Sequence, residues 1–140
     1  MDKHYLGAEY LQLDNEAVRV WKKDGIVIAE FKPNLTIDLE TAKLAVRSRK
    51  QVGNGEDYPV LVDIRNVKRI EEDARKYLAS AEATEYVKAG AIIKDGFMLN
   101  LLANWFLKID KPKVPSRLYN GSQIKMAMRW LELFKTVEQN

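Results

Sequence analysis

Side chains that commonly carry enzyme chemistry are scarce in this chain of 140 residues. It has a single histidine, His4, and no cysteine, so a nucleophile with an imidazole base would have to be built on that one residue. Metal sites made from histidine and cysteine lack ligands for the same reason. We therefore expect no catalytic residues, no metal and no cofactor, and a protein that is not an enzyme.

Carboxylates are the remaining groups that could do chemistry. Asp63 lies within an apolar run at residues 60–64, where a buried charge is costly unless it is paired or hydrogen-bonded. It could end a strand and accept backbone N–H groups of the next loop, or pair with Arg65 or Lys68. A catalytic role is the alternative, since strand ends line the crevice of α/β sheets. Without a histidine or metal partner, we favour the structural role.

An acidic triplet, Glu71-Glu72-Asp73, stands where a helical pattern begins. Carboxylates at a helix start accept hydrogen bonds from free N–H groups and complement the helix dipole, each contributing about 0.3–1 kcal/mol. The triplet is thus explained by helix formation alone, and we prefer that interpretation.

The apolar spacing predicts an α/β fold with the order β-β-α-β-α-β-α-β-α. A hairpin at Asp24-Gly25 joins the first two strands, and each later strand follows a helix. Such crossovers imply a mixed, mostly parallel sheet. The five predicted strands are 18–22, 26–31, 60–64, 89–93 and 117–119, and the predicted helices, about four, are 39–50, 71–81, 97–109 and 123–137.

Composition narrows the class of protein further. We expect a single domain, 1–140, with 1–14 as a flexible or peripheral N-terminal segment. The 23 basic residues are scattered among 20 acidic ones, so the net charge of +3 does not require a nucleic-acid partner. No apolar run approaches the roughly 18 residues of a membrane span. The absence of cysteine and of a secretory signal fits a cytoplasmic protein.

The stretch 58–78 resembles the core of STAS domains, the family of anti-sigma-factor antagonists. The typical run of that family reads roughly L-D-L-S-x-V-x-x-I-D-S-S-G-L, and the matching residues here are Val62-Asp63-Ile64-Arg65, Val67 and Ile70. Near the end of the chain, a strand followed by an A-x-x-W-L helix is similar to the closing elements of bacterial SpoIIAA-like proteins. The residues of that second match are Arg117-Leu118-Tyr119, Ala127 and Trp130-Leu131.

The resemblance covers about residues 16–137 and implies a STAS/SEC14-like fold. Where the family has Ser-Ser-Gly, this chain has Glu72-Asp73-Ala74, so the phosphorylation switch of the family is absent. Glu72 and Asp73 are the switch-equivalent residues. A permanent carboxylate there could imitate the phosphorylated state with less charge, or this branch has simply lost the switch.

The predicted helix 97–109 is apolar on all its faces, with Asn100 and Asn104 as its only polar interruptions before Lys108. A helix of this kind is buried on more than one side. We expect a dimer interface or an apolar ligand groove here, unless the last helix covers the outer face. The residues assigned to this surface are Met98, Leu102, Trp105 and Phe106.

Basic side chains cluster near two predicted loops and could form one patch for an acidic partner or anionic lipid. Solvated loop charge is the simpler interpretation. The residues are Arg47, Arg49, Lys50, Arg65, Lys68 and Arg69.

Together these observations predict a non-enzymatic STAS/SEC14-like binding module. The first hypothesis is a cytoplasmic protein–protein regulatory domain that forms a homodimer. The alternative is a carrier or sensor of a small apolar or lipid-like ligand.

Overall fold

A six-stranded mixed sheet forms the centre of the fold. The structure is a computed structural model that describes residues 12–135, apart from the side chain of Leu99. The strands of this sheet, in spatial order, are β1 (Gln12–Asp14), β2 (Val18–Lys23), β3 (Ile26–Phe31), β5 (Tyr58–Asp63), β7 (Val87–Ile93) and β8 (Ser116–Tyr119). The first three pair antiparallel and the others pair parallel. A separate parallel pair joins β4 (Thr36–Ile37) to β6 (Arg69–Ile70).

The predicted α/β class and mostly parallel sheet are confirmed, but the predicted number of strands is wrong. The sheet has six strands because β1 adds an edge strand, with Leu13 opposite Val20. Gln12–Asp14, the last residues of the segment 1–14 that we expected to be flexible or peripheral, form this edge strand. His4 and the rest of residues 1–11 lie outside the described part of the chain.

The helices differ from the prediction mainly in being divided. The α-helices are α1 (Leu39–Gly53), α2 (Glu72–Leu78), α3 (Ala81–Thr84), α4 (Phe97–Leu102) and α5 (Ile124–Glu132). The predicted helix 71–81 is two helices, since the Ser80 hydroxyl accepts a hydrogen bond from Ala83 N at 3.2 Å and starts α3. The predicted helix 97–109 is α4 continued by a π-helical segment, Ala103–Asp110.

Local capping explains the position of α1. The Asp38 carboxylate accepts a hydrogen bond from Thr41 N at 2.8 Å, which satisfies one free N–H of the first turn. The helix ends at Asn54, whose left-handed backbone (φ 53°) directs its N–H to the carbonyl of Lys50.

The alternation of β3 shows that the sheet has apolar side chains on both faces, so helices must cover both.

Helices lie on both faces of the sheet. One face carries Val27, Ala29 and Phe31 of β3 and packs with residues of α1, α2 and the helix formed by α4 and the π-helical segment. The other face carries Ile26 and Ile28 and packs with α5. The last helix and the helix at 97–110 are therefore on opposite faces of the sheet. The alternative in which the last helix covers the outer face of that helix is wrong, because α5 buries its apolar side against the sheet.

Candidate functional site

An apolar cavity of about 130 Å³ lies between the sheet and the helices that cover its first face. Strand residues such as Val60 and Ile92 form one side, and helical residues Leu102 and Phe106 form another. Several lining positions carry small residues, which leave the space unfilled. These small residues are Ala29, Ala45, Ala83 and Gly90.

Leu102 and Phe106 reach the cavity because they are one turn apart on the same side of their helix. Their exposed fractions are 4% and 7%. Met98 is partly buried and packs against the same core, whereas Trp105 is 45% exposed. The structure thus divides the four predicted residues: two line the cavity, one packs beside them, and one lies on the surface.

The π-helical segment is an unusual feature of this helix. Its last turn is closed by Lys111 N, which donates to the carbonyl of Phe106, five residues earlier, at 2.9 Å. Segments of this kind are rare and occur frequently at functional sites. Neither the apolar pattern nor the composition of residues 103–110 indicated it, since the pattern was compatible with an ordinary α-helix.

Arg75 joins this helix to α2. Its Nε donates to the Asp110 carboxylate at 2.5 Å, and its guanidinium lies 5.5 Å from the ring centroid of Trp105. The Asp110 side chain is only 2% exposed, so the pair is largely removed from water. Arg75 also lines the cavity, and the pair therefore holds the end of the π-helical segment beside it.

A second arginine, Arg49, lines the cavity from α1 and is 7% exposed. Its guanidinium donates to the carbonyl of Ala83 at 2.9 Å. Burial lowers the pKa of Arg49 to about 10, so the group still carries its charge at neutral pH. Within residues 12–135, no carboxylate lies at ion-pair distance from it.

The assignment of Arg49 to a solvated basic patch was wrong. Arg47 is exposed, but Arg49 points into the domain. Helical spacing contained the signal, because Arg49 lies seven residues after Ala42 and three after Val46, both of which are buried. The positive charge of Arg49 suggested a side chain in solvent, while its position on α1 indicated a side chain in the interior of the domain.

The acidic helix start lies apart from the cavity. Glu72 and Asp73 are exposed in the first turn of α2. Glu72 pairs with Lys76 at 3.2 Å, and the Asp73 carboxylate accepts a hydrogen bond from Ala74 N at 2.8 Å. These contacts are those of an ordinary helix start, and neither residue lines the cavity.

Asp63 has the structural contacts that the sequence predicted. It is the last residue of β5, and its carboxylate accepts from Arg65 N at 3.1 Å and from Arg65 Nη2 at 2.7 Å. Nearby, the buried Lys94 amine donates to the carbonyls of Arg65 and Val67 at 2.9 and 3.0 Å. Burial lowers the pKa of Lys94, but these carbonyls use its donors to hold the loop after β5.

The helix at 97–110 also presents a row of exposed apolar side chains, each four residues after the last. We call this row the exposed stripe: it consists of Phe97 (76% exposed), Leu101 (38%), Trp105 (45%) and Ile109 (61%). One helix thus has two apolar sides, one at the cavity and one at the surface.

The part of the chain that the structure describes has neither a cluster of metal ligands nor a helix that could cross a membrane. Residues 12–135 contain no group of three or more histidine, aspartate or glutamate side chains that could hold a metal ion. Over the same residues, no helix combines the length and apolar character that crossing a membrane requires.

The mixed sheet with helices on both faces is the architecture of a SpoIIAA-like domain. A crystal structure of an uncharacterized protein of the DUF3478 family from Shewanella loihica PV-4, described as having a SpoIIAA-like fold, is similar with a TM-score of 0.53. The sequences are 18% identical, and the match covers 82% of this chain and 92% of that one. The resemblance to STAS and SpoIIAA-like domains is thereby confirmed at the level of the fold.

The chain belongs to the family described as Domain of unknown function (DUF7793), whose model matches residues 20–135. No curated protein matches the chain.

Proposed function

We propose that this protein is a non-enzymatic binding module that holds a small apolar ligand in the cavity between the sheet and its first helical layer. The observation that carries this proposal is the apolar cavity itself, to which Leu102 and Phe106 contribute. Mostly apolar walls with a few polar groups are typical of small-molecule sites.

The energetics of the cavity support an occupant. Lining atoms that face unfilled space lack the dispersion contacts that close packing provides. A ligand that fills the space restores the missing contacts. An apolar cavity of about 150 Å³ accommodates benzene, so the buried part of the ligand should have about six carbon atoms.

The first experiment compares the wild type with a variant whose cavity is filled. Native mass spectrometry of the purified protein should show a retained small molecule, and hexan-1-ol should raise the melting temperature. In Ala45→Leu, the larger side chain occupies the cavity, so both effects should disappear. Ala81→Leu is the matched control, because Ala81 is exposed on α3 and should leave both effects intact. A wild type that retains nothing and does not respond to hexan-1-ol would contradict the proposal.

The exposed stripe favours a second function, recognition of another protein chain. Contiguous apolar side chains on a surface usually mark interaction sites, and symmetric homodimers are the commonest assemblies. We propose that the stripe forms a homodimer interface or receives a protein partner in the cytoplasm. This function is compatible with the first, since the stripe and the cavity lie on different sides of the same helix.

A further inference from the structure

We propose that the ligand of the cavity is a small amphiphile with a carboxylate head, and that Arg49 is the residue that binds this head. The inference rests on the proposed ligand-binding function and adds the chemical class of the ligand. It follows from the different surroundings of the two arginines that line the cavity.

Arg75 is already neutralised by the protein. Its guanidinium forms an ion pair with Asp110 at 2.5 Å, and a further anion would have to compete with that carboxylate. Arg49 has no such partner among residues 12–135, although it is more than nine-tenths buried. Two acidic groups influence it: the Tyr77 phenol, which is neutral at pH 7, and Glu85, which is itself paired with Lys50 at 2.8 Å.

Arg49 has hydrogen-bonding capacity to spare. A guanidinium has five N–H donors, and the one hydrogen bond that Arg49 makes within the described residues goes to the carbonyl of Ala83. Taking a cation out of water without a counter-charge is costly, and an anionic ligand would supply both the charge and the acceptors. A buried cation beside an otherwise apolar cavity is therefore the arrangement expected of a site that binds the carboxylate group of an amphiphile.

The guanidinium of Arg49 favours a carboxylate head, and the cavity volume favours a short chain. The planar fork of a guanidinium matches the two oxygens of a carboxylate, and one arginine balances one negative charge. With the head at Arg49, an apolar chain of about six carbons would lie against Leu102 and Phe106. An ammonium head would be repelled, and a hydroxyl head would leave the charge of Arg49 unbalanced.

The experiment begins with three ligands of equal chain length and the wild-type protein. Hexanoate, hexan-1-ol and hexan-1-amine are titrated by isothermal calorimetry at neutral pH. Hexanoate should bind at least about tenfold more tightly than hexan-1-ol, as expected for a hydrogen-bonded charge, and hexan-1-amine should bind most weakly. Equal binding of acid and alcohol overturns the inference but leaves the apolar-ligand function standing. Binding of none of them contradicts both.

The variants then assign the preference to Arg49. Arg49→Met keeps most of the volume and removes the charge, so hexanoate should lose its advantage of about tenfold while hexan-1-ol binds as before. Arg47→Met is the matched control, because this exposed arginine of the same helix does not line the cavity, and its preference should be that of the wild type. Arg49→Lys retains the charge without the fork and should keep part of the preference.

Selectivity distinguishes ligand binding from a purely structural role. If Arg49 served only to hold α3 through Ala83, Arg49→Met and Arg49→Lys would lower the melting temperature and leave the ratio of acid to alcohol affinity unchanged. That result would overturn the inference. Should Arg49→Met fail to fold, the wild-type ratio and its change in Arg49→Lys decide the question.

Discussion

Asp110 and Arg75 form the most deeply buried ion pair among residues 12–135, with Arg75 Nε 2.5 Å from Asp110 Oδ2. The Asp110 side chain is 2% exposed and the Arg75 side chain 15%. Asp110 ends the π-helical segment and Arg75 belongs to α2. The pair therefore connects α2 to the end of the helix that carries both Leu102 and Trp105. Its loss should affect the stability of the fold and the integrity of the cavity together.

Asp110→Asn should destabilise the protein by about 3–5 kcal/mol, because it leaves the Arg75 charge buried without a counter-charge. The measurement is chemical denaturation of the variant and the wild type. Glu72→Gln is the control on α2, the helix of Arg75. The pair of Glu72 with Lys76 is exposed, with 68% and 60% of the side chains accessible, and should contribute about 0.5 kcal/mol or less. Equal small losses in both variants would show that the buried pair contributes no more than a surface one.

Charges placed along the helix at 97–110 should separate its two sides. Trp105→Glu adds a charge to the exposed stripe and should leave the domain folded, while shifting any dimer to monomer in light scattering. Leu102→Glu places a charge in the core and should unfold the protein, since Leu102 is 4% exposed. If the wild type is already monomeric and Trp105→Glu changes neither mass nor partner binding, the stripe is not an interface.

Asp73→Ser restores a hydroxyl at the switch-equivalent position. We expect a folded protein that loses about 1 kcal/mol or less, because Asp73 is exposed and contacts only the backbone N–H of Ala74. Thermal unfolding measures the change. Ala74→Asp is the contrasting variant: Ala74 is fully buried, and a carboxylate there should prevent folding. A loss of several kcal/mol in Asp73→Ser would reveal a further role for this carboxylate.

The cap of α1 should make stability depend on pH. The hydrogen bond from Thr41 N lowers the pKa of Asp38 below its ordinary value of 3.8. The stabilisation is therefore present above pH 3.8 and is lost as the pH falls through the lower, folded-state pKa. Asp38→Asn caps the helix without titrating, so its melting temperature should fall less than that of the wild type between about pH 6 and about pH 3. Parallel curves would show that the cap does not titrate in this range.

The outline of the fold could be predicted because its signals are local. The Asp24-Gly25 turn, the apolar runs of the strands and the helical spacing each depend on neighbouring residues, and they correctly indicated an α/β fold with a mostly parallel sheet. Apolar character on all faces of residues 97–109 predicts more than one apolar contact for that helix, and the contact of its exposed stripe stays a prediction. The edge strand of the sheet was harder to predict. Because β1 is three residues long, it has too few positions to show a reliable alternation of apolar and polar side chains.

The sequence by itself determined the longer strands and the helical regions, since hydrogen bonding, capping and periodicity act over a few residues. Tertiary structure alone decided that α5 lies on the opposite face from the helix at 97–110, and that Asp110 meets an arginine 35 residues earlier in the chain. It also decided that the space beside Arg49 is an apolar cavity. Such relationships depend on how the chain crosses the sheet, and no short stretch of residues contains that information.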